Sequence, residues 1–337
     1  MNFQQLKFVR EAARNGFNLT GVAETLFISQ SGVSKQIKEL EVELGVELFV
    51  RKGKRLVGLT RAGEGAIPLI ERILLETENL KRFSSQFAEQ DKGSLVIATT
   101  HNQARYALPR AIREFTARYP DVKLELIQGA PKYVGEAVIR GAADLAIATD
   151  AFDSYPELAA YPCFTWNHVV IAPPDHPLTR LESPTLADIR EYSIITYSPG
   201  FSGRPQIDAA FAREGLVPDI RLTAMDADII KTYVEMGLGV GILSEMAMVD
   251  ERRQTLKVLD APGRLFAPCV TQIAIRRGAL LRGYAYKFIE TFAPHLTQAE
   301  LVKGATHYTP PRRSAAAPAA GARDEIPPVW SSGAAPV

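Results

Sequence analysis

The stretch TTHNQARYALP, residues 99–109, gathers two threonines, a histidine, an asparagine, a glutamine and an arginine into its first seven positions. Hydroxyls and carboxamides both donate and accept hydrogen bonds without carrying charge, and an imidazole titrates near neutrality. Such a run can hold a catalytic base, cradle a ligand or cap a turn. His101, Asp150 and Ser202 could be combined as base, orienting acid and nucleophile. No Gly-x-Ser-x-Gly elbow, paired metal-ligand motif or phosphate-binding loop accompanies them. Enzyme chemistry, a cofactor and a metal are therefore not expected, and His101 reads as a helix-start residue beside a site.

The elements around this run favour a cradle. From Ser94 onward, LVIAT, KLELIQ, DLAIAT, HVVIAP, YSIITY, IRLTA, GVGIL and VTQIAIR read as short apolar strands. Helical patterns such as AIREFTARYP, VGEAVIRGA, QIDAAFAREG and DIIKTYVEMG separate most of them. That alternation means a mostly parallel sheet covered by helices, here divided into two small α/β lobes. Open α/β folds bind ligands beyond the carboxyl ends of their strands. The residues found there are Thr100 to Gln103, Thr149 and Asp150, the loop SPGFSGR with Ser198, Ser202 and Arg204, and Asp226 with Asp228. The Thr100 and Ser202 segments each pair hydroxyls with a following helix N-terminus, whose free amides suit a small anion such as sulfate or a carboxylate. GLGVGIL lacks the context of a dinucleotide site and reads as close helix–strand packing.

The first sixty residues carry a different chemistry. Phe3, Leu6, Val9, Ala12 and Ala13 mark one helical face. A short helix that Thr20 could cap follows, then a tight break, then a helix opening at Ser29 or Gln30. Val33, Ile37, Leu40 and Leu44 form its buried stripe, so Gln30, Ser31, Ser34, Lys35 and Lys38 point away from it. This is a helix-turn-helix pattern, whose second helix enters the DNA major groove. Glutamine and serine can read base edges there, while lysines meet phosphates. Phe49-Val50 and Leu56-Val57 then flank RKGKR, a hairpin whose tip carries Arg51, Lys52, Lys54 and Arg55. A basic wing of this kind targets backbone phosphate.

From Thr60 to Ala88, positions 66, 70, 73, 77, 80, 84 and 87 alternate by four and three, a short coiled-coil seam that calls for a second copy of the chain. Pro68 should bend this helix near Glu64. EQDKGS reads as a hinge. The chain of 337 residues has a net charge of +1, so no partner follows from bulk charge. The absence of an apolar leader or membrane-length run, and only two cysteines, point to a cytoplasmic protein.

FVREAARNGFNLTGVAETLFISQSGVSKQIKELEVELGVELFVRKGKRLVGLTRAG resembles the DNA-binding domain of the LysR-type transcriptional regulators, and the resemblance continues to about residue 295. Within that family, IATTHNQARYALPRAIREF and GFSGRPQID look most like the CysB-like branch. The resemblance implies an N-terminal all-α winged helix-turn-helix (residues 1–60) and a linker and dimerisation helix with hinge (61–91). It further implies a two-lobed periplasmic-binding-protein-like effector domain, lobe I comprising 92–163 and 268–295 and lobe II 164–267. It implies regulation of sulfur assimilation or alkanesulfonate use, a homodimer or homotetramer on double-stranded promoter DNA, and a sulfate- or acetylserine-like effector. By the same resemblance, Thr100, Asn102, Gln103, Thr149, Trp166 and Ser202 line the effector site. The branch generally has threonine where this chain has Asn102 and Ser202, which implies a changed effector preference. The lobe crossovers would fall near Cys163 and Pro268, placing Cys163 and Cys269 within ~10 Å without a structural disulfide. Residues 304–337, rich in Ala and Pro, read as a disordered tail.

Overall fold

The computed structural model describes residues 1–88, 91–201, 203–248, 255–259 and 265–306. The chain divides into two compact units, Met1–Ala88 and the remainder.

In the first unit, α1 (Phe3–Arg14), α2 (Leu19–Thr25) and α3 (Gln30–Leu44) precede a hairpin of β1 (Phe49–Lys52) and β2 (Arg55–Leu59), and α4 (Arg61–Ala88) follows. Side-chain caps set the helix starts. Asn2 and Gln5 form a reciprocal capping box on α1, and the Ser29 hydroxyl accepts from the Gly32 amide at the start of α3. At α2 the cap is Asn18, whose carboxamide accepts from Thr20 and Gly21. Thr20 therefore sits inside the helix with its side chain exposed, not at the cap expected from sequence. Val33, Ile37 and Leu40 are fully buried in a core with Leu6, Phe8, Val9, Phe49, Ile70 and Leu74. Each such side chain contributes about 1.5–3 kcal/mol by leaving water. Leu44 and Phe3 depart from the expected stripes. Both lie at helix ends, beyond the reach of the core, and both are exposed. Helix α4 continues unbroken through Pro68, with the Thr60 hydroxyl accepting from the Gly63 amide at its start.

The second unit contains β3 (Gly93–Thr99), α5 (Leu108–Arg118), β4 (Val122–Gln128), α6 (Pro131–Ile139), β5 (Leu145–Thr149), β6 (Leu158–Trp166) and β7 (His168–Ala172). Next come α7 (Leu186–Ile189), β8 (Ile194–Tyr197), α8 (Arg204–Arg213), β9 (Ile220–Ala224), α9 (Ala227–Glu235), β10 (Val240–Ser244) and β11 (Lys257–Val258). β12 (Cys269–Arg276), α10 (Gly283–Phe292) and α11 (Gln298–Thr306) complete the described chain. The strands form two five-stranded sheets, in the orders β4-β3-β5-β12-β6 and β11-β7-β10-β8-β9. Parallel pairs β3–β4, β3–β5, β8–β9 and β8–β10 form the heart of each sheet, and the crossing strands add antiparallel edges. Each sheet has its own apolar core, centred on Ile97, Leu145, Ile273 and Phe288 in the first and on Ile171, Ile194, Ile242 and Phe211 in the second.

Strand β6 was not expected from the sequence, because Pro162 interrupts LAAYPCFTW. Its place at the sheet edge is where a strand tolerates a missing amide donor. β6 runs past Cys163 to Trp166, so the chain passes to the second sheet at Asn167, four residues beyond Cys163, and returns ahead of Cys269. Cys269 pairs with Trp166 across β12 and β6. Cys163 lies three residues, roughly 10 Å, further along that strand. The two thiols are thus on neighbouring strands but not side by side; both are buried and neither is in a disulfide. Residues 304–306, placed by sequence in the tail, belong to α11. The rest of that segment, Trp330 included, lies outside the described residues.

Candidate functional site

In the first unit, an open groove of about 850 Å³ is lined by Gln30, Ser31, Ser34, Lys35 and Lys38 of α3 and by Arg51, Gly53 and Lys54 of the wing. Most of the residues chosen from sequence thus share one concave surface. Lys52 and Arg55 are exposed on the same hairpin, which turns at Gly53 in a left-handed conformation (φ 63°). Sequence reasoning could not separate Arg51 from its neighbours. Its guanidinium donates to the Glu41 carboxylate at 2.8 Å. Glu41 is buried and also accepts from the backbone amides of Leu48 and Phe49 at 2.9 and 3.1 Å. Arg51 thus ties the wing to α3 and is only partly available to phosphate, whereas Lys54 is exposed at the hairpin tip.

In the second unit, the residues after β3 form the first turn of a helix that continues through a π-helical turn, Gln103–Ala107, into α5. Wide turns of this kind recur at functional sites. Thr100, Asn102, Gln103, Thr149 and Trp166 are all buried. Gln103 donates through Nε2 to the hydroxyls of Thr271 at 2.8 Å and Thr149 at 3.3 Å, while its Oε1 lacks a hydrogen-bond partner. Threonine hydroxyls also donate, so the opposite amide orientation keeps both bonds and turns Nε2 to the unpartnered side. The Trp166 indole N–H is likewise buried without a partner. Buried polar atoms left in this state are costly unless something hydrogen-bonds to them. The Trp166 N–H is thus available to an acceptor-rich ligand, and the Gln103 carboxamide offers a second donor in its opposite orientation. Ser202 lies outside the described residues. Its neighbour Gly203 takes φ 75°, and a Cβ there would meet the Cys269 sulfur at 2.5 Å, so only glycine fits.

Asn102 behaves differently from its neighbours. Its Nδ2 donates to the Tyr197 hydroxyl at 2.8 Å and its Oδ1 accepts from the Ala227 amide at 3.2 Å, both on the second lobe. Further cross-lobe bonds join the Tyr106 hydroxyl to Asp228 at 2.7 Å and Gln206 Nε2 to Asp150 at 2.8 Å. Burial alone would raise the Asp228 pKa. Hydrogen bonds from Tyr106 and Lys231, with the charges of Lys231 and Arg105, outweigh it and hold the carboxyl below its usual range. Tyr106 is pushed up, by burial first and then by its bond to Asp228. His101 Nε2 stands 3.9 Å from Asp228, too far for a hydrogen bond. Ligand atoms of His101, Asp226 and Asp228 lie within 4.8 Å of one another, yet the Lys231 ammonium 2.9 Å from Asp228 already neutralises that carboxylate and opposes a metal ion. Asp150 faces Gln206 and the Val270 amide, so its carboxylate is engaged at the lobe junction. Sequence reasoning missed Tyr197, Thr271, Tyr106 and Lys231. Tyr197 alone carried a signal, as the last residue of an apolar strand.

A winged helix-turn-helix joined to a two-lobed α/β domain with buried unpartnered polar groups at its strand ends defines a DNA-binding regulator under small-molecule control. Residues 3–64 match the family model "Bacterial regulatory helix-turn-helix protein, lysR family", and residues 88–297 match "LysR substrate binding domain". The chain belongs to the LysR family of transcriptional regulators. It is 55% identical over 301 residues to the HTH-type transcriptional regulator SsuR of Burkholderia cenocepacia, covering 89% of this chain and 97% of that one. It is 51% identical to CysB of the same organism (88% and 95% covered) and 48% identical to cbl of Escherichia coli (86% and 92%). The cofactor-binding domain of the Cbl transcriptional regulator matches with TM-score 0.61 and 42% identity, over 63% of this chain and 92% of that domain. Full-length CbnR in complex with its target DNA shares the fold, with TM-score 0.53 and 21% identity, over 87% and 99%. These relatives are transcriptional regulators, not enzymes. Among the described residues no helix is long and apolar enough to cross a membrane.

Proposed function

We propose that this regulator controls sulfur-assimilation or alkanesulfonate-use genes from the cytoplasm, in response to a small sulfur-related anion or acetylserine bound between its two α/β lobes. The observation that carries the effector reading is the pair of buried, unpartnered groups at the strand ends, the Gln103 carboxamide, which engages the Thr149 hydroxyl, and the Trp166 indole. Neutral hydrogen-bonding groups in a buried site suit an oxyanion whose charge they can share. Ser202 completes the expected ligand set. A thermal-shift panel of sulfate, thiosulfate, adenosine phosphosulfate and O- and N-acetylserine tests the reading. A midpoint shift with at least one of them, lost in Thr100→Val, is expected. Silence from the whole panel favours a LysR-type regulator of another pathway.

On the DNA side, Gln30, Ser31 and Ser34 face the groove for base edges, with Lys35, Lys38, Lys52, Lys54 and Arg55 for phosphates and Thr20 exposed on α2. Lys54→Ala is expected to weaken binding to all sequences alike and to lower the slope of log affinity against log salt by about 1. Gln30→Ala should instead cost about 1–3 kcal/mol on the preferred site and little on random DNA. Competition binding at two or more salt concentrations separates the two outcomes. A homodimer or homotetramer is supported by α4, where Ile70 and Leu74 turn into the unit's own core while Leu69, Ile73 and Leu80 are exposed along the helix. A second copy would cover that row and pair two recognition helices on a two-fold site.

A further inference from the structure

The cleft between the lobes is bridged in its interior by one side chain that uses both ends of its carboxamide. Asn102 follows β3 of the first sheet, whereas Tyr197 ends β8 and Ala227 opens α9 of the second. A backbone amide can only donate, so Oδ1 must face Ala227 and Nδ2 must face the Tyr197 hydroxyl. That hydroxyl also accepts from the Ser244 amide, at the end of β10, at 3.0 Å. Asn102 is 3% exposed and Tyr197 is fully buried, so neither bond competes with bulk water while the lobes are together. Burial is also the main cause that pushes the Tyr197 pKa up, so its hydroxyl is neutral and able to accept across the physiological range.

We propose that Asn102 is an interlobe clasp: a positioning residue that holds the two lobes together before any effector arrives. A side chain at position 102 must present a donor and an acceptor at this reach to close both bonds, which alanine cannot do. Separating the lobes exposes the Ala227 amide, the Tyr197 hydroxyl and the carboxamide to water together, so the clasp adds a modest bias toward the closed arrangement. An effector that prefers the closed lobes then meets a population already arranged for it. That last consequence rests on the reading that the cleft takes the effector, whereas the clasp itself does not.

The test is hydrogen exchange measured by mass spectrometry on the full-length, ligand-free protein. In Asn102→Ala, exchange in the peptide that opens α9 at Ala227 should quicken roughly three- to tenfold, while peptides from β3 and β5 stay unchanged. Tyr197→Phe, which removes a single oxygen, should quicken the same peptide. The double variant should fall short of the product of the two single effects, because both remove one shared bond. Unchanged exchange at Ala227 in both single variants, or effects that multiply independently, would overturn the clasp. If Asn102→Ala exchanges faster everywhere, Tyr197→Phe decides: local quickening upholds the clasp and none overturns it. Adding saturating sulfate or thiosulfate to Tyr197→Phe, which leaves every expected effector residue in place, separates the two readings. Restored protection at Ala227 supports both. Quickened exchange that neither anion reverses keeps the clasp and removes these anions as effectors.

Discussion

Glu41→Ala is expected to cost the DNA-binding unit about 3–5 kcal/mol and to abolish DNA binding at temperatures the parent tolerates. The Glu41 carboxylate is 6% exposed and takes three hydrogen bonds: the Leu48 amide, the Phe49 amide and the Arg51 guanidinium. Alanine leaves two amides at the entry to the wing without an acceptor and a partly buried cation without its partner. Stranding buried donors costs more than the intact bonds contribute, because water does not reach them. A unit of this size has about 5–15 kcal/mol in total, so the loss is a large fraction of its stability. At roughly 4–8 °C per kcal/mol, the corresponding thermal transition should fall by at least about 12 °C. Glu41→Gln should fall between the two, since its carbonyl keeps an acceptor for the amides but loses the charge opposite Arg51. Scanning calorimetry of the full chain resolves the matter, and a midpoint within about 3 °C of the parent for Glu41→Ala would show that the carboxylate does not hold the wing.

The same residue shows where sequence reasoning stops. Val33, Ile37 and Leu40 are legible because the helical period forces them to one side. Glu41 falls four residues after Ile37 on the same side of the helix, but nothing in the period says what it binds there; only the chain's return at Leu48 to Arg51 makes it an acceptor of three donors. Arg51 then looks like any wing cation until its partner is placed. In the second unit, the polar residues after β3 and β5 were legible because ligands meet α/β sheets at strand ends. Thr271 was not, since it alternates within an ordinary strand and meets Gln103 only through a pairing of strands over 100 residues apart. Asn102 is legible as a residue at a strand end, but its bonds to Tyr197 and Ala227 are not, because those partners approach it only when two separate sheets come together. The π-helical turn after it leaves no mark in the hydrophobic period at all.

Gln103→Glu should abolish binding of a sulfate-like anion at neutral pH while leaving the fold intact. The carboxylate has the shape of the carboxamide and can accept from the hydroxyls of Thr149 and Thr271, the two groups Gln103 already engages. What it removes is the N–H that the carboxamide can present to the unpartnered side, and what it adds is a negative charge in a site buried to 1% exposure. A lost hydrogen bond to a charged ligand costs about 1.5–3 kcal/mol, and like-charge repulsion adds to it, so affinity should fall by at least about 100-fold. The loss has a pH signature. Burial raises a carboxyl pKa, and a bound anion raises it further, so the substituted carboxyl takes up a proton as pH falls and again offers an O–H donor. Affinity should recover toward pH 5 in the variant and change little over that range in the parent. Gln103→Leu, which has neither donor nor charge, should lose affinity without recovering it at low pH. Calorimetric titration with sulfate at two pH values distinguishes these outcomes. Undiminished binding by Gln103→Glu at neutral pH would move the effector away from the strand ends of β3 and β5.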